Sequence, residues 1–181
     1  MVNHRHGFKK PKLSGWAEKV HDLILGGQDG LVNVLGIVLG VAAATASTRV
    51  VLIAGLAATF AESISMGAVA YTSAKAGRGY YVSIGKKPPR DYEDPLESGL
   101  IVGFSAVAGS LIPLIPFFLL PVAQSAWWAV AICMATLFVA GAIKAKITIG
   151  TWWKSGLELM LIGMAAAVAG YAVGHLLGVT I

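Results

Sequence analysis

Long apolar stretches dominate the pattern of hydrophobic and polar positions along this chain. Apart from Glu62 and Glu158, residues 50–74, 98–143 and 155–181 contain no Asp, Glu, Lys or Arg. A helix needs about 20 apolar residues to cross a bilayer, so the middle stretch can hold two helices, divided near Pro121 and Gln124. The pattern therefore predicts five transmembrane helices. They lie at about 24–47, 50–74, 97–120, 125–144 and 156–178.

Composition supports an all-α, polytopic membrane protein. Of the 181 residues, 56% are apolar and only 13% are charged, against roughly 25% charged residues in soluble domains. We expect one transmembrane domain, residues 22–181, after a basic cytoplasmic tail, residues 1–21. A cleaved signal peptide is not expected, because no apolar core begins until after His21.

The basic residues also predict the orientation of the helices. All Lys and Arg residues except Arg49 fall in the tail, in the predicted cytoplasmic loop 75–96, or around the connection between spans four and five. By the positive-inside rule, the N-terminus is cytoplasmic and the C-terminus is external. This distribution explains the net charge of +5, so we expect a lipid bilayer and no nucleic acid as the partner.

Several glycines recur four residues apart, on one helix face. Such pairs allow membrane helices to approach closely. Some of them could instead face a second subunit, and a homodimer is favoured because five helices make a small bundle to enclose a pathway. The pairs are Gly26 and Gly30, Gly36 and Gly40, Gly99 and Gly103, Gly170 and Gly174, and Gly174 and Gly178.

Glu62 lies about halfway along the second predicted span. A charged group at this depth costs several kcal/mol, so it normally faces a protein interior or a wet cavity. Ser65 and Met66 follow at i+3 and i+4, on the same helical face. Glu62 could be a purely structural, hydrogen-bonded residue, but we favour a functional carboxylate, with Met66 as a soft metal ligand and Ser65 as an accessory group.

Asp29 lies about one turn into the first predicted span, with Asn33 at i+4 on the same face. Asp29 could simply cap or orient the start of the helix. The neighbouring glycines, however, permit local unwinding, as in the broken helices that bind ions in transporters. Asp29 and Glu62 would then form a carboxylate pair on adjacent helices, suited to Mn²⁺ or Fe²⁺ and able to bind protons when metal is absent.

Other candidate residues carry weaker signals. Glu97 and Glu158 begin spans three and five, where each could bind metal or could be an ordinary solvated helix N-terminus. The single cysteine, Cys133, can form no intrachain disulfide and is expected to be a packing residue. No phosphate-binding loop, zinc motif or nucleophile and base pair is present, so we expect no enzyme, no catalytic residue and no resident cofactor.

At these residues the sequence resembles the vacuolar iron transporter family. The resemblance rests on the order of "DGL" in span one, "AGLA" and "ISMG" with Tyr71 in span two, "DP" and "PLIPFFLLPVA" in and after span three, and "KSGLELMLIG" in span five. It implies a five-span dimer that moves Fe²⁺, and often Mn²⁺, out of the cytosol in exchange for protons. By the same resemblance, Asp29, Met66 and Glu158 match the family's transport aspartate, span two methionine and span five glutamate.

The sequence departs from the family pattern at two places. The family's span two glutamate usually lies eight residues before the methionine, where this chain has Ala58, and Glu62 follows one turn later. Well-studied members also carry a long Glu-rich and Met-rich insert between spans two and three, whereas about 22 residues connect them here. Shorter relatives, similar to the nodulin-like branch, also lack that insert.

Together these features predict a proton-coupled exporter of Fe²⁺ or Mn²⁺ in the plasma membrane of a prokaryote. Metal would enter near Glu158 and Glu97 and meet Asp29, Glu62 and Met66. Protons would return through Asp29 and Glu62. The alternative is a non-transporting membrane scaffold or metal-sensing module, for which the missing cytoplasmic insert is the best argument.

Overall fold

The computed structural model describes residues 15–89, 92–147 and 150–178, and this part of the chain is helical without strands. Five of its segments are long and apolar enough to cross a membrane, which confirms the all-α class and the five predicted spans. The predicted basic positions Arg5, Lys9, Lys10, Lys12 and Arg90 lie outside the described residues. The helices are α1 (Gly15–Ala44), α2 (Thr48–Ser83), α3 (Pro95–Leu111), α4 (Ile115–Leu119), α5 (Val122–Ile147) and α6 (Trp152–Gly178), with a 3₁₀ turn at Ile112–Leu114.

Side-chain caps define where two of the spans begin. The Ser47 hydroxyl accepts a hydrogen bond from the Val50 amide at 3.4 Å and caps α2 after a three-residue connection from α1. At the start of α3, one carboxylate oxygen of Asp94 accepts hydrogen bonds from the Leu96 and Glu97 amides, both at 3.2 Å. Pro95 occupies the first helical position, where its missing amide proton costs nothing. These caps satisfy amides that would otherwise lack partners at the membrane boundary.

Helix α2 continues to Ser83, nine residues beyond the predicted end of its span at residue 74. Hydropathy marks where the apolar segment ends, but a helix can continue into water. Tyr92, from the loop before α3, stabilises this extension by stacking on Tyr81 at 6.0 Å and by packing over Gly77. The chain then turns at Gly85, whose φ of 67° lies in the left-handed region that favours glycine.

The third span is one predicted helix but three shorter segments in the structure. Pro113 and Pro116 lie at its two breaks, because proline lacks the amide proton needed to continue an α-helix. The buried Ser125 hydroxyl, at the start of α5, is close to the Pro116 carbonyl at 3.0 Å and the Leu120 carbonyl at 2.9 Å, and it compensates for part of the interrupted bonding.

Helix α1 is the centre of the bundle and packs against α2, α3, α5 and α6. Helix α1 lies close to its neighbours because its glycines contact the backbone of the facing helices. A Cβ atom added at Gly40, for example, would lie only 2.9 Å from the Gly170 carbonyl oxygen of α6. The predicted glycine pairs all contact helices of the same chain, so each pair has a packing role within the bundle. Gly26 and Gly30 meet α3, Gly36 and Gly40 meet α6, Gly99 and Gly103 meet α2, and Gly170, Gly174 and Gly178 meet α1.

Candidate metal-binding site

Two acidic side chains of neighbouring helices share one amide group. The Asn33 side-chain nitrogen, on α1, donates a hydrogen bond to Asp29 Oδ2 at 3.4 Å, one turn earlier on the same helix. The same nitrogen donates a short hydrogen bond to Glu62 Oε1 on α2. The structure therefore brings together Asp29, Asn33 and Glu62, although Glu62 is 29 residues from Asn33 in sequence. We call these three residues the acidic cluster.

The acidic cluster lies at the surface of the single chain rather than in its core. Asp29 and Glu62 are half-buried, whereas Asn33 is exposed. The neighbouring buried positions of α1, such as Leu31 and Val34, are apolar and are 2% and 0% exposed. Because charged groups within a membrane normally face protein or water, the open side of the cluster requires a polar covering.

Met66 and Ser65 follow Glu62 by about one turn of α2. Met66 is half-buried and Ser65 is exposed. Two other hydroxyl side chains of α2 near Glu62, those of Thr59 and Ser63, are buried and bonded to the helix backbone. The buried Thr59 hydroxyl donates to the Gly55 carbonyl at 2.8 Å, and the buried Ser63 hydroxyl donates to the Thr59 carbonyl at 2.6 Å. Met66 and Ser65 therefore remain the side chains of α2 that are available to add to the cluster.

Glu158 and Glu97 do not join the cluster. Glu158 is exposed near the start of α6. In the described ranges, no three His, Cys, Asp or Glu side chains lie close enough to hold one metal ion together. Glu97 instead forms an ion pair with Lys19 of α1, and the two side chains are 47% and 56% exposed. This exposed pair connects α3 to α1 near the predicted cytoplasmic face.

Sequence reasoning did not single out Asp22. Its carboxylate accepts a hydrogen bond from the Ser98 hydroxyl of α3 at 2.7 Å and lies 3.6 Å from the ring nitrogen of His21. Asp22 precedes Asp29 by seven residues, so the two carboxylates lie on nearly the same face of α1. The spacing of Asp22, Asp29 and Asn33 at i, i+7 and i+11 is the signal that could have identified it.

Cys133 is buried in α5 and unbonded, which agrees with the packing role predicted for it. It is 0% exposed within the main apolar cluster of the bundle, beside residues of α1. His175, near the end of α6, is exposed and stacks on Tyr171 with ring centroids 6.0 Å apart. Neither residue adds a ligand to the acidic cluster.

Comparison with known proteins supports the resemblance found in the sequence. The profile of the VIT family matches residues 20–88 and 82–175. Vacuolar iron transporter 1 of Eucalyptus grandis is 28% identical over 210 aligned positions, which cover 85% of this chain and 84% of the relative. Vacuolar iron transporter 1 of rice, Oryza sativa subsp. japonica, is 26% identical, covering 93% and 88%. An uncharacterized protein of the archaeon Methanocaldococcus jannaschii is 31% identical over 157 positions, covering 77% and 80%.

Proposed function

The chain belongs to the VIT family, and on that premise we propose that it transports Fe²⁺ and Mn²⁺ out of the cytosol in exchange for protons. Three kinds of observation support the proposal: the five membrane-spanning helices, the relatives that are named as vacuolar iron transporters, and the chemistry of the acidic cluster. The acidic cluster is the observation that carries it, because two carboxylates on neighbouring membrane helices are costly without a function.

The donor set suits a borderline divalent metal ion. Asp29 and Glu62 supply anionic oxygens, Asn33 can supply a carbonyl oxygen, and Met66 can supply a soft thioether sulfur from the next turn of α2. Carboxylate, carbonyl and water ligands suit Mn²⁺ and Fe²⁺, and a thioether further disfavours Mg²⁺. Because the Asn33 amide nitrogen now contacts both carboxylates, metal binding requires this amide to rotate and present its oxygen.

Proton exchange follows from the competition between metal and protons for the same oxygens. A carboxylate must be ionised to ligate a metal ion, so metal binding releases the protons that the acidic cluster holds when it is vacant. Asp29 and Glu62 are the two groups of the cluster that can titrate, whereas Asn33 cannot. The same two residues therefore hold metal in one step and protons in the next.

A homodimer provides the polar covering that the acidic cluster requires. Asn33 and Ser65 are exposed on the single chain, and leaving this polar surface against lipid is unfavourable. We place a second copy across this surface, so that two acidic clusters enclose the pathway. Such a dimer also offers a position for Glu158, which lies apart from the acidic cluster within one chain.

The transport path begins at the side where the basic residues concentrate, which we take as cytoplasmic. Asp22, Glu158 and Glu97 lie toward this side, and Asp22 precedes the acidic cluster on the same face of α1. Glu97 is already neutralised by Lys19, so Asp22 and Glu158 are the stronger candidates for attracting cations. We assign the protein to the plasma membrane of a prokaryote.

Metal-driven proton movement in proteoliposomes tests the proposed function. Purified protein is reconstituted with a pH-sensitive dye inside, and Mn²⁺ or Fe²⁺ is added outside under a matched osmotic load. We expect metal uptake and proton release to rise together in liposomes that contain the protein. Metal binding without any transport would instead identify a metal-sensing module, and absence of both would favour a scaffold.

A further inference from the structure

A groove runs along the surface between α2 and α3, away from the acidic cluster. It has a volume of about 310 Å³ and is lined almost entirely by apolar atoms, with Gly67, Gly99 and Gly103 at the helix crossing. Ile64 and Tyr71 of α2 also line it. At 100° per residue, these α2 positions lie about 140–200° around the helix from Glu62, so the groove and the acidic cluster occupy opposite faces.

The outer walls of this groove are apolar and exposed at the protein surface. Ile64 and Phe104, from its two sides, are 73% and 72% exposed on the protein surface. Both helices belong to segments that can span the membrane. A groove of this shape in a bilayer accommodates a flexible acyl chain, which packs against the apolar walls.

One end of the groove carries positive charge. Lys75 lies over the Tyr71 ring, 5.6 Å from its centroid, and Tyr71 contacts Gly99 near the start of α3. Arg78 follows Lys75 by three residues, so both cations continue the groove-lining face of α2. Both are exposed, and neither takes part in an ion pair among the described residues. The charges lie where the apolar part of α2 ends.

We propose that the α2–α3 groove binds an anionic phospholipid of the leaflet next to the α2–α3 loop. One acyl chain lies in the apolar groove, and the headgroup phosphate lies against Lys75 and Arg78. Cations at the membrane boundary attract anionic lipids, and the adjoining groove adds the acyl-chain contacts that an isolated basic residue lacks. This site is independent of the metal path, because it lies on the opposite face of α2.

The test compares retained lipids by native mass spectrometry of the whole purified chain. The protein is offered equal amounts of phosphatidylglycerol and phosphatidylcholine with matched acyl chains. Each cation near a membrane surface contributes about fivefold to anionic lipid binding. We therefore expect a preference for phosphatidylglycerol of roughly 25-fold at low salt, which decreases as salt screens the charges.

Three variants separate the headgroup site from the groove. K75Q/R78Q should retain phosphatidylglycerol no better than phosphatidylcholine. A68W, which fills the groove at an exposed position, should retain less of both lipids. K154Q is the matched control, because Lys154 lies over Trp153 at the same 5.6 Å but outside this groove, and its lipid retention should be unchanged.

Equal retention of the two lipids by the unmodified protein would overturn the proposal without any variant. An unchanged preference in K75Q/R78Q would also overturn it. If A68W converted an oligomer to a monomer without changing lipid retention, a second copy of the chain would be the occupant of the groove, and the lipid proposal would be wrong.

Discussion

Replacing Glu62 with Gln removes one of the two ionisable groups of the acidic cluster while keeping the size and hydrogen-bonding capacity of the side chain. In the proposed exchange, Asp29 and Glu62 of the unmodified protein each release a proton when the divalent ion binds, and the Asn33 amide that connects them cannot titrate. Exchange at one cluster then moves no net charge. In Glu62→Gln only Asp29 could return a proton, so we expect each transport cycle to move one net positive charge.

The size of this effect follows from the membrane potential. One elementary charge crossing the membrane is worth about 2.3 kcal/mol per 100 mV. A potential of roughly 60 mV therefore changes the equilibrium metal gradient of Glu62→Gln about tenfold, whereas the unmodified protein should not respond. Replacing an anionic ligand with a neutral carbonyl oxygen also weakens metal binding, so we expect the transport rate of the variant to fall. Asp29→Asn should behave in the same way.

The assay measures Mn²⁺ uptake and internal pH in proteoliposomes whose potential is set by potassium and valinomycin. Glu97→Gln is the control, because its exposed ion pair with Lys19 contributes little stability and lies outside the cluster. Its proton-to-metal ratio should be unchanged. An unaltered ratio and no response to potential in folded Glu62→Gln would refute the assignment of Glu62 to coupling.

Three further predictions concern topology, selectivity and packing. An N-terminal reporter should be cytoplasmic and a C-terminal reporter external in whole cells, and a cytoplasmic C-terminus would rule out the proposed orientation. Excess Mg²⁺ should leave Fe²⁺ transport by the unmodified protein unchanged and should inhibit Fe²⁺ transport by Met66→Leu. Equal effects of Mg²⁺ on the two proteins would remove Met66 from the ligand set. Gly174→Ala should destabilise the protein by about 1–3 kcal/mol in thermal unfolding, because the added methyl group would collide with the Gly40 carbonyl of α1. Gly79→Ala is the matched control, because Gly79 has open space around it. We expect the unfolding temperature of this variant to equal or exceed that of the unmodified protein.

Local sequence patterns determine much of this molecule. Five apolar stretches of sufficient length predict five spans, because the thickness of the bilayer imposes a length that each segment meets by itself. The glycine spacing in α1 and α6 predicts close helix contacts, since residues four apart share a face whatever the partner is. Asp29 and Glu62 stand out for the same reason, because a charge in an apolar stretch is costly wherever the other helices lie.

Other features depend on the arrangement of the helices in space. The contact of Asn33 with Glu62, and of Asp22 with Ser98, joins residues of different helices that no repeat in the sequence connects. The continuation of α2 to Ser83 is accompanied by a contact between Tyr81 and Tyr92, which folds back from the following loop. Hydropathy and spacing describe each helix alone, whereas these contacts depend on which helices cross, at what angle and at what depth. The tertiary structure therefore decides which of the predicted polar residues meet: it joins Asp29 to Glu62 through Asn33 and pairs Glu97 with Lys19.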